Sequence, residues 1–307
     1  MLRYALKRII GSIPTLLLVS AIAFLMVHTA PGGPFDAERA LPPEIEANVS
    51  RAYHLDEPLP QQFARYVGGL WRGDFGPSFS FRDFTVSELI RTALPLSMWL
   101  GALAMLLALI AGVAAGLVAA LNRNSMLDRL VTGIAMIGIS VPVFVIAPIM
   151  VLVFAVILNW LPVSWTAGNN ANRLVMPVIA LALPQIAYIA RLTRASMINV
   201  LGSDFVRTAR AQGLSTMTIV RHHAMKPAML PLLSYMGPAI AAIMTGSVVV
   251  EQVFGIPGVG QLFIRGALNR DYTLVLGITV FYATLVIALN LIVDLLYGFL
   301  DPRIRQR

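Results

Sequence analysis

The sequence predicts an all-α membrane protein with six transmembrane helices. Three observations carry that reading. Six long apolar runs follow one another along the chain. Charged residues make up only 12% of it, where soluble domains hold about 25%. Lysine and arginine gather at alternate run ends, as the positive-inside rule requires. A mean hydropathy of +0.77 leaves too little polar surface for a soluble globular protein. The net charge of +8 flanks the apolar runs instead of forming aromatic-interleaved patches, which points to anionic lipid and not to nucleic acid. With no cysteine, disulfides and cysteine-ligated metals are excluded.

The first run, Ile9–Ala30, follows Arg3, Lys7 and Arg8. It resembles a signal peptide in its flanking charge. At about 20 residues it exceeds a signal h-region and suffices to cross the bilayer, and no small-residue cleavage pattern closes it, so it reads as a retained helix. The further spans are Pro95–Leu121, Leu130–Leu158, Leu174–Ala190, Ala228–Val250 and Thr273–Leu300. The fourth is the shortest and is expected to be broken by Pro177 and Pro184. Arg123 and Arg129 follow the second span, Arg191, Arg194, Arg207, Arg210, Arg221 and Lys226 follow the fourth, and Arg303, Arg305 and Arg307 close the chain. Arg173, Arg265 and Arg270 alone lie in the opposite short loops. Both termini and two loops are therefore expected in the cytoplasm.

Residues 1–30 form the cytoplasmic tip and first helix, 31–94 an outer-face insert, and 95–307 a core of helices two to six. The insert holds six arginines but nine acidic residues, and at this length the charge rule weakens. Pro42-Pro43-Glu44 has the form of a helix start. A second helix is expected after Pro58, through Gln61, Phe63, Tyr66 and Trp71, and Gly73-Asp74-Phe75-Gly76-Pro77-Ser78 is turn material. Trp71, Phe75, Phe79, Phe81 and Phe84 are expected at the membrane interface or in a small cap over the spans.

The loop between spans four and five is the most informative segment. Met197, Leu201, Phe205 and Ala209 recur every four residues, one apolar stripe on a helix. Gly213 then ends the helix as a left-handed residue, and Ser215 caps a second helix, Thr216 to Ala224, leading back to Pro227. From the pattern alone the stripe fits either a groove on a partner or the lipid surface. The run Arg207-Thr208-Ala209-Arg210-Ala211-Gln212-Gly213-Leu214, continuing to His223-Ala224-Met225-Lys226-Pro227-Ala228, resembles the EAA loop of the membrane subunits of ABC importers. Arg207 stands in place of that motif's glutamate and Lys226 in place of its proline. Both departures match the peptide- and nickel-importing branch. Leu55-Asp56-Glu57-Pro58-Leu59 with Gly73–Ser78, and Glu251–Leu262 with Asn269-Arg270-Asp271-Tyr272, resemble the same branch.

The resemblance implies a bacterial inner-membrane location, a type I ABC importer permease architecture and a pathway for oligopeptides, with dipeptides or nickel complexes as the alternative cargo. It implies a second homologous permease subunit, two ATPase subunits that use ATP and Mg, an external solute-binding protein, and a coupling helix carried by Phe205, Arg207, Thr208, Ala209, Arg210, Ala211, Gly213 and Leu214. No substrate-binding residue is assigned by it.

Other motifs are set aside on chemistry. The glycines at 255, 258 and 260 lack the lysine of a Walker loop, and Phe263 takes the last glycine position of a Rossmann fingerprint, so neither nucleotide-binding motif is present. His222 and His223 point about 100° apart on a helix and cannot pair on one face; with His28 and His54 they suggest no metal site. Glu251 and Asp294 are expected to face protein or water. Gly101, Ala104, Ala108, Gly112 and Gly116 permit close helix packing. A secondary transporter or channel would need midplane ionisable groups, and a membrane enzyme would need a cluster of reactive side chains; the sequence offers neither.

Overall fold

The computed structural model describes residues 2–29, 56–81, 83–166 and 171–300. The helix start expected at Pro42, His54, Leu55, the C-terminal arginines and the side chains of Arg3 and Lys7 lie outside the described residues. Ten helices are named here: α1 (Leu2–Thr29), α2 (Leu59–Leu70), α3 (Val86–Leu121), α4 (Met126–Ser140), α5 (Val143–Met150), α6 (Asn172–Leu201), α7 (Asp204–Ala211), α8 (Met225–Phe254), α9 (Val259–Leu268) and α10 (Tyr272–Leu300). The chain divides into two compact units, Met98–Ile256 with the chain from Leu289 onward, and Leu2–Ser97 with Pro257–Ala288.

Among the described residues, five helices are long and apolar enough to cross a membrane. The third expected span, Leu130–Leu158, is not one straight helix. α4 and α5, the latter extended by π-helical Val151–Ile157, form a pair bent by 102°. Pro142 accounts for the break: it has no N–H for the helix ladder and forces Val141 out of the helical region, to ψ 120°. The opposite correction applies to the fourth span. α6 runs unbroken for 30 residues through Pro177 and Pro184, and Arg191 and Arg194 lie on it instead of in a loop.

In the first unit, close packing rests on glycine. A β-carbon on Gly116 of α3 would stand 2.5 Å from the Ala190 carbonyl oxygen, and one on Gly112 would stand 2.8 Å from Ile189 Cβ. Ala104 and Ala108 are fully buried. The two glycines let α3 and α6 approach closely, as small residues at this spacing predict. Arg194 is held by Asp128 in the first turn of α4, through Nε to Oδ1 at 2.5 Å and a second nitrogen to Oδ2 at 2.7 Å.

In the second unit, two of the motifs read from the sequence meet. Asp271 is fully buried just ahead of α10. Its carboxylate accepts from Ser78 Oγ at 2.5 Å, Ser80 N–H at 3.0 Å, Thr273 Oγ1 at 3.1 Å and Leu274 N–H at 3.0 Å. The Ser78 hydroxyl in turn accepts from Phe81 N–H. Below this lock Val86, Ile90, Ala93, Val259, Leu274 and Ile278 form a core against which Phe75 and Phe81 pack. Those two aromatics therefore belong to a cap, while Trp71 and Phe84 are exposed. α2 begins after Pro58 with proline in its first turn, and Gly73 and Gly76 take positive φ. α3 starts nine residues before the membrane run read from the sequence, because Val86, Ile90 and Ala93 belong to this core.

Candidate partner-docking loop

The loop between α6 and α8 folds on itself before it meets anything else. α6 stops at Leu201, and Gly202 and Ser203 separate it from α7. Ser203 is extended, with φ −73° and ψ 157°. The expected stripe from Met197 to Ala209 therefore does not lie on one helix. Met197 packs with Ala120, Ala224 and Ala228. Past the break the register is new: Val206 and Ala209 turn inward onto Ile219, with Leu201 and Leu214 against them. Phe205 turns outward and is 49% exposed.

α7 ends as Gly213 predicts. Gly213 has φ +80°, its N–H donates to Arg210 O at 2.9 Å, and Leu214 N–H reaches back to Ala209 O at 3.3 Å. Together with the Leu214–Ala209 contact, this is a complete Schellman ending. Ser215 caps the return, its hydroxyl accepting from Thr218 N–H at 3.2 Å. The return helix then continues without a break. Thr216–Thr218, the π-helical Ile219–Ala224 and α8 make one helix of 39 residues, Thr216–Phe254.

Of the eight residues assigned by resemblance, Phe205, Arg207, Thr208, Arg210, Ala211 and Gly213 are exposed, Leu214 is half-buried and Ala209 is buried. Ala209 is thus a fold residue of the loop and has no side-chain surface to offer. Arg207 holds Asp204 at 3.2 Å on the open surface, where such pairs add little stability. Sequence reasoning missed Met217, which is 64% exposed, and Val206, which anchors the loop. The extended Ser203 before Asp204 is the signal for a fresh helix start, and it resets the apolar register to Val206. Arg221, His222 and His223 are also exposed. The result is two large apolar side chains, Phe205 and Met217, on a self-packed scaffold that also exposes the cationic or imidazole side chains of Arg207, Arg210, Arg221, His222 and His223. Among the described residues no cluster of metal-ligating side chains exists.

Residues 112–306 match the family of binding-protein-dependent transport system inner membrane components, and residues 1–98 match its N-terminal region. The chain belongs to that family. This transport component is 52% identical to the oligopeptide transport system permease protein OppB of Salmonella typhimurium over 99% of its length and 100% of the relative's. It is 50% identical to OppB of Escherichia coli over the same shares, and 40% identical to the dipeptide transport system permease protein DppB of Bacillus subtilis over 99% of this chain and 98% of that one. In fold, the transport component resembles a chain of the inward-facing methionine ABC transporter MetNI, with a TM-score of 0.60 at 18% identity, covering 69% of this chain and 96% of the other. It is a multi-pass membrane permease with the ABC-importer permease fold.

Proposed function

We propose that this permease subunit forms, with a second homologous permease, the path of an ATP-driven importer of oligopeptides. Two ATPase subunits carry the hydrolysis, with ATP and Mg, and this chain hydrolyses nothing. An external solute-binding protein delivers the peptide. The N- and C-termini and the α6–α8 loop lie in the cytoplasm, and the cap around Asp271 faces outside. Full-length identity to oligopeptide permeases supports the cargo. The observation that carries the coupling is the outward pair Phe205 and Met217 on a loop whose other apolar residues pack among themselves.

An exposed aromatic and a methionine beside arginines have the make-up of an interface hot spot. Phe205→Ala removes surface only and leaves the loop folded. It is expected to weaken ATPase binding about 30-fold, the equivalent of a ~2 kcal/mol hot spot, and to slow ATP-driven peptide uptake in vesicles. Copurification and uptake at the unmodified level in Phe205→Ala combined with Met217→Ala would refute the docking role.

A further inference from the structure

One polar stripe on α6 and α8 is left over after their packing. On α6, Gln185, Tyr188 and Arg191 follow at three-residue spacing, so they share a face. Tyr235 of α8 closes on them. Its ring stacks on Tyr188 with centroids 4.1 Å apart and planes 18° from parallel, and its hydroxyl donates to Gln185 Oε1 at 2.8 Å. The Arg191 guanidinium carbon stands 5.2 Å from the Tyr188 ring centre. Gln185 is buried, the tyrosines are half-buried and Arg191 is exposed. One turn further on, Arg194 spends its charge on Asp128. Arg191 has no carboxylate partner among the described residues.

Arg191 sits ten residues before Leu201, about 15 Å along the helix, within a helix long enough to span the membrane. A charge turned to lipid there costs at least ~2.5–3.5 kcal/mol. Arginines near a helix end escape that cost by reaching for the headgroups. With the C-terminal end of α6 in the cytoplasm, the reading proposed above, that reach would run toward Leu201. Arg191 leans the other way, back over Tyr188 and deeper into the membrane. A guanidinium held there is stable only beside water or a polar group.

The surface of α8 agrees independently. From Pro227 onward its exposed positions are Pro231, Ser234, Pro238, Ala242, Thr245 and Gln252, which fall on one helical face that also holds Tyr235. None is a large apolar residue, whereas α3 exposes Met98, Trp99, Leu106 and Ile110, the composition that lipid requires.

We propose that this face of α6 and α8 lines the aqueous path and that Arg191, backed by the Tyr188–Tyr235 pair, is the transit site for the C-terminal carboxylate of a passing peptide. The inference rests on the importer reading above. An exposed guanidinium with an aromatic neighbour attracts an anion without enclosing it, and a transport site must release what it binds.

The test uses the complete importer in proteoliposomes, with trialanine and trialaninamide each loaded on the binding protein at saturation. Arg191→Gln is expected to slow ATP-driven trialanine uptake about tenfold or more, the loss that follows removal of a charged hydrogen-bond partner, and to leave trialaninamide uptake unchanged. Arg191→Lys should recover part of the difference. An equal loss on both peptides would assign the face to packing against the second permease and overturn the proposal, as would no loss on either. Absence of ATP-driven uptake from the unmodified assembly would instead overturn the importer reading. The natural absence of cysteine supplies a second measurement. Ser234→Cys and Thr245→Cys should react with a membrane-impermeant maleimide in the nucleotide-free or the ATP-trapped state, with Ile149→Cys as the lipid-facing control. Protection equal to that of the control in both states would overturn the lining role.

Discussion

Replacing Asp271 with alanine tests whether the cap is one lock or a set of separate turns. If Asp271 were only the cap of α10, its loss would cost about 1 kcal/mol. The structure asks more of it. Four donors converge on its carboxylate, two of them backbone N–H groups, from Ser80 and Leu274, and one the buried Ser78 hydroxyl. Hydrogen bonds to a charged group contribute roughly 1.5–3 kcal/mol each, though not additively, and stranded buried donors add their own desolvation cost. A loss of about 3–5 kcal/mol follows. Asp271→Asn should be nearly as damaging, because its amide nitrogen meets an N–H donor at either Ser80 or Leu274. The assay is denaturant unfolding of the purified chain in detergent, followed by tryptophan fluorescence, with a double-mutant cycle against Ser78→Ala. A coupling of ~1.5 kcal/mol or more is expected between the two. A cost near 1 kcal/mol for both Asp271 substitutions, with no coupling to Ser78, would refute the lock.

Two further outcomes follow from glycine positions. Gly116→Ala should lower stability by ~1–3 kcal/mol through overpacking, since its β-carbon would meet the Ala190 carbonyl oxygen, while Gly133→Ala, with nothing within 4 Å, should be neutral or mildly stabilising; thermal unfolding in detergent separates the two. Gly213→Val should cost ~1–2 kcal/mol from its left-handed backbone and expose the α7 turn to protease, although no atom crowds the site; an unchanged digestion pattern would show that the Schellman ending does not hold the loop.

Much of this fold is legible in the sequence because the bilayer asks for long apolar runs and because cations mark their ends. The glycine–alanine ladder of α3, the end of α7 at Gly213 and the cap at Ser215 are local signals that tertiary structure leaves intact. The errors arise where local signals compete. Pro177 and Pro184 are tolerated in α6, a helix half buried among its neighbours, while Pro142 breaks α4 from α5. The sequence does not distinguish these cases, since what differs is the surrounding support. In the α6–α8 loop a four-residue repeat runs across Gly202-Ser203 as if the helix continued. The break resets the phase, so Val206 replaces Phe205 as the inward residue. Arg194 reads as a loop cation because its acid, Asp128, lies 66 residues away.

The unbroken helix from Thr216 to Phe254 has a mechanical consequence. At 1.5 Å per residue it is about 58 Å long, and it carries the exposed Met217, Ser234 and Thr245 on one continuous backbone. Pro231 and Pro238 stand inside it and leave gaps in its hydrogen-bond ladder where it can bend. The π-helical turns at Ile219–Ala224 lie between Met217 and Ser234, where a single added residue per turn already sets the angular phase of everything beyond. In the importer proposed above, a displacement of Met217 would therefore reach Thr245 as a change of angle along this helix.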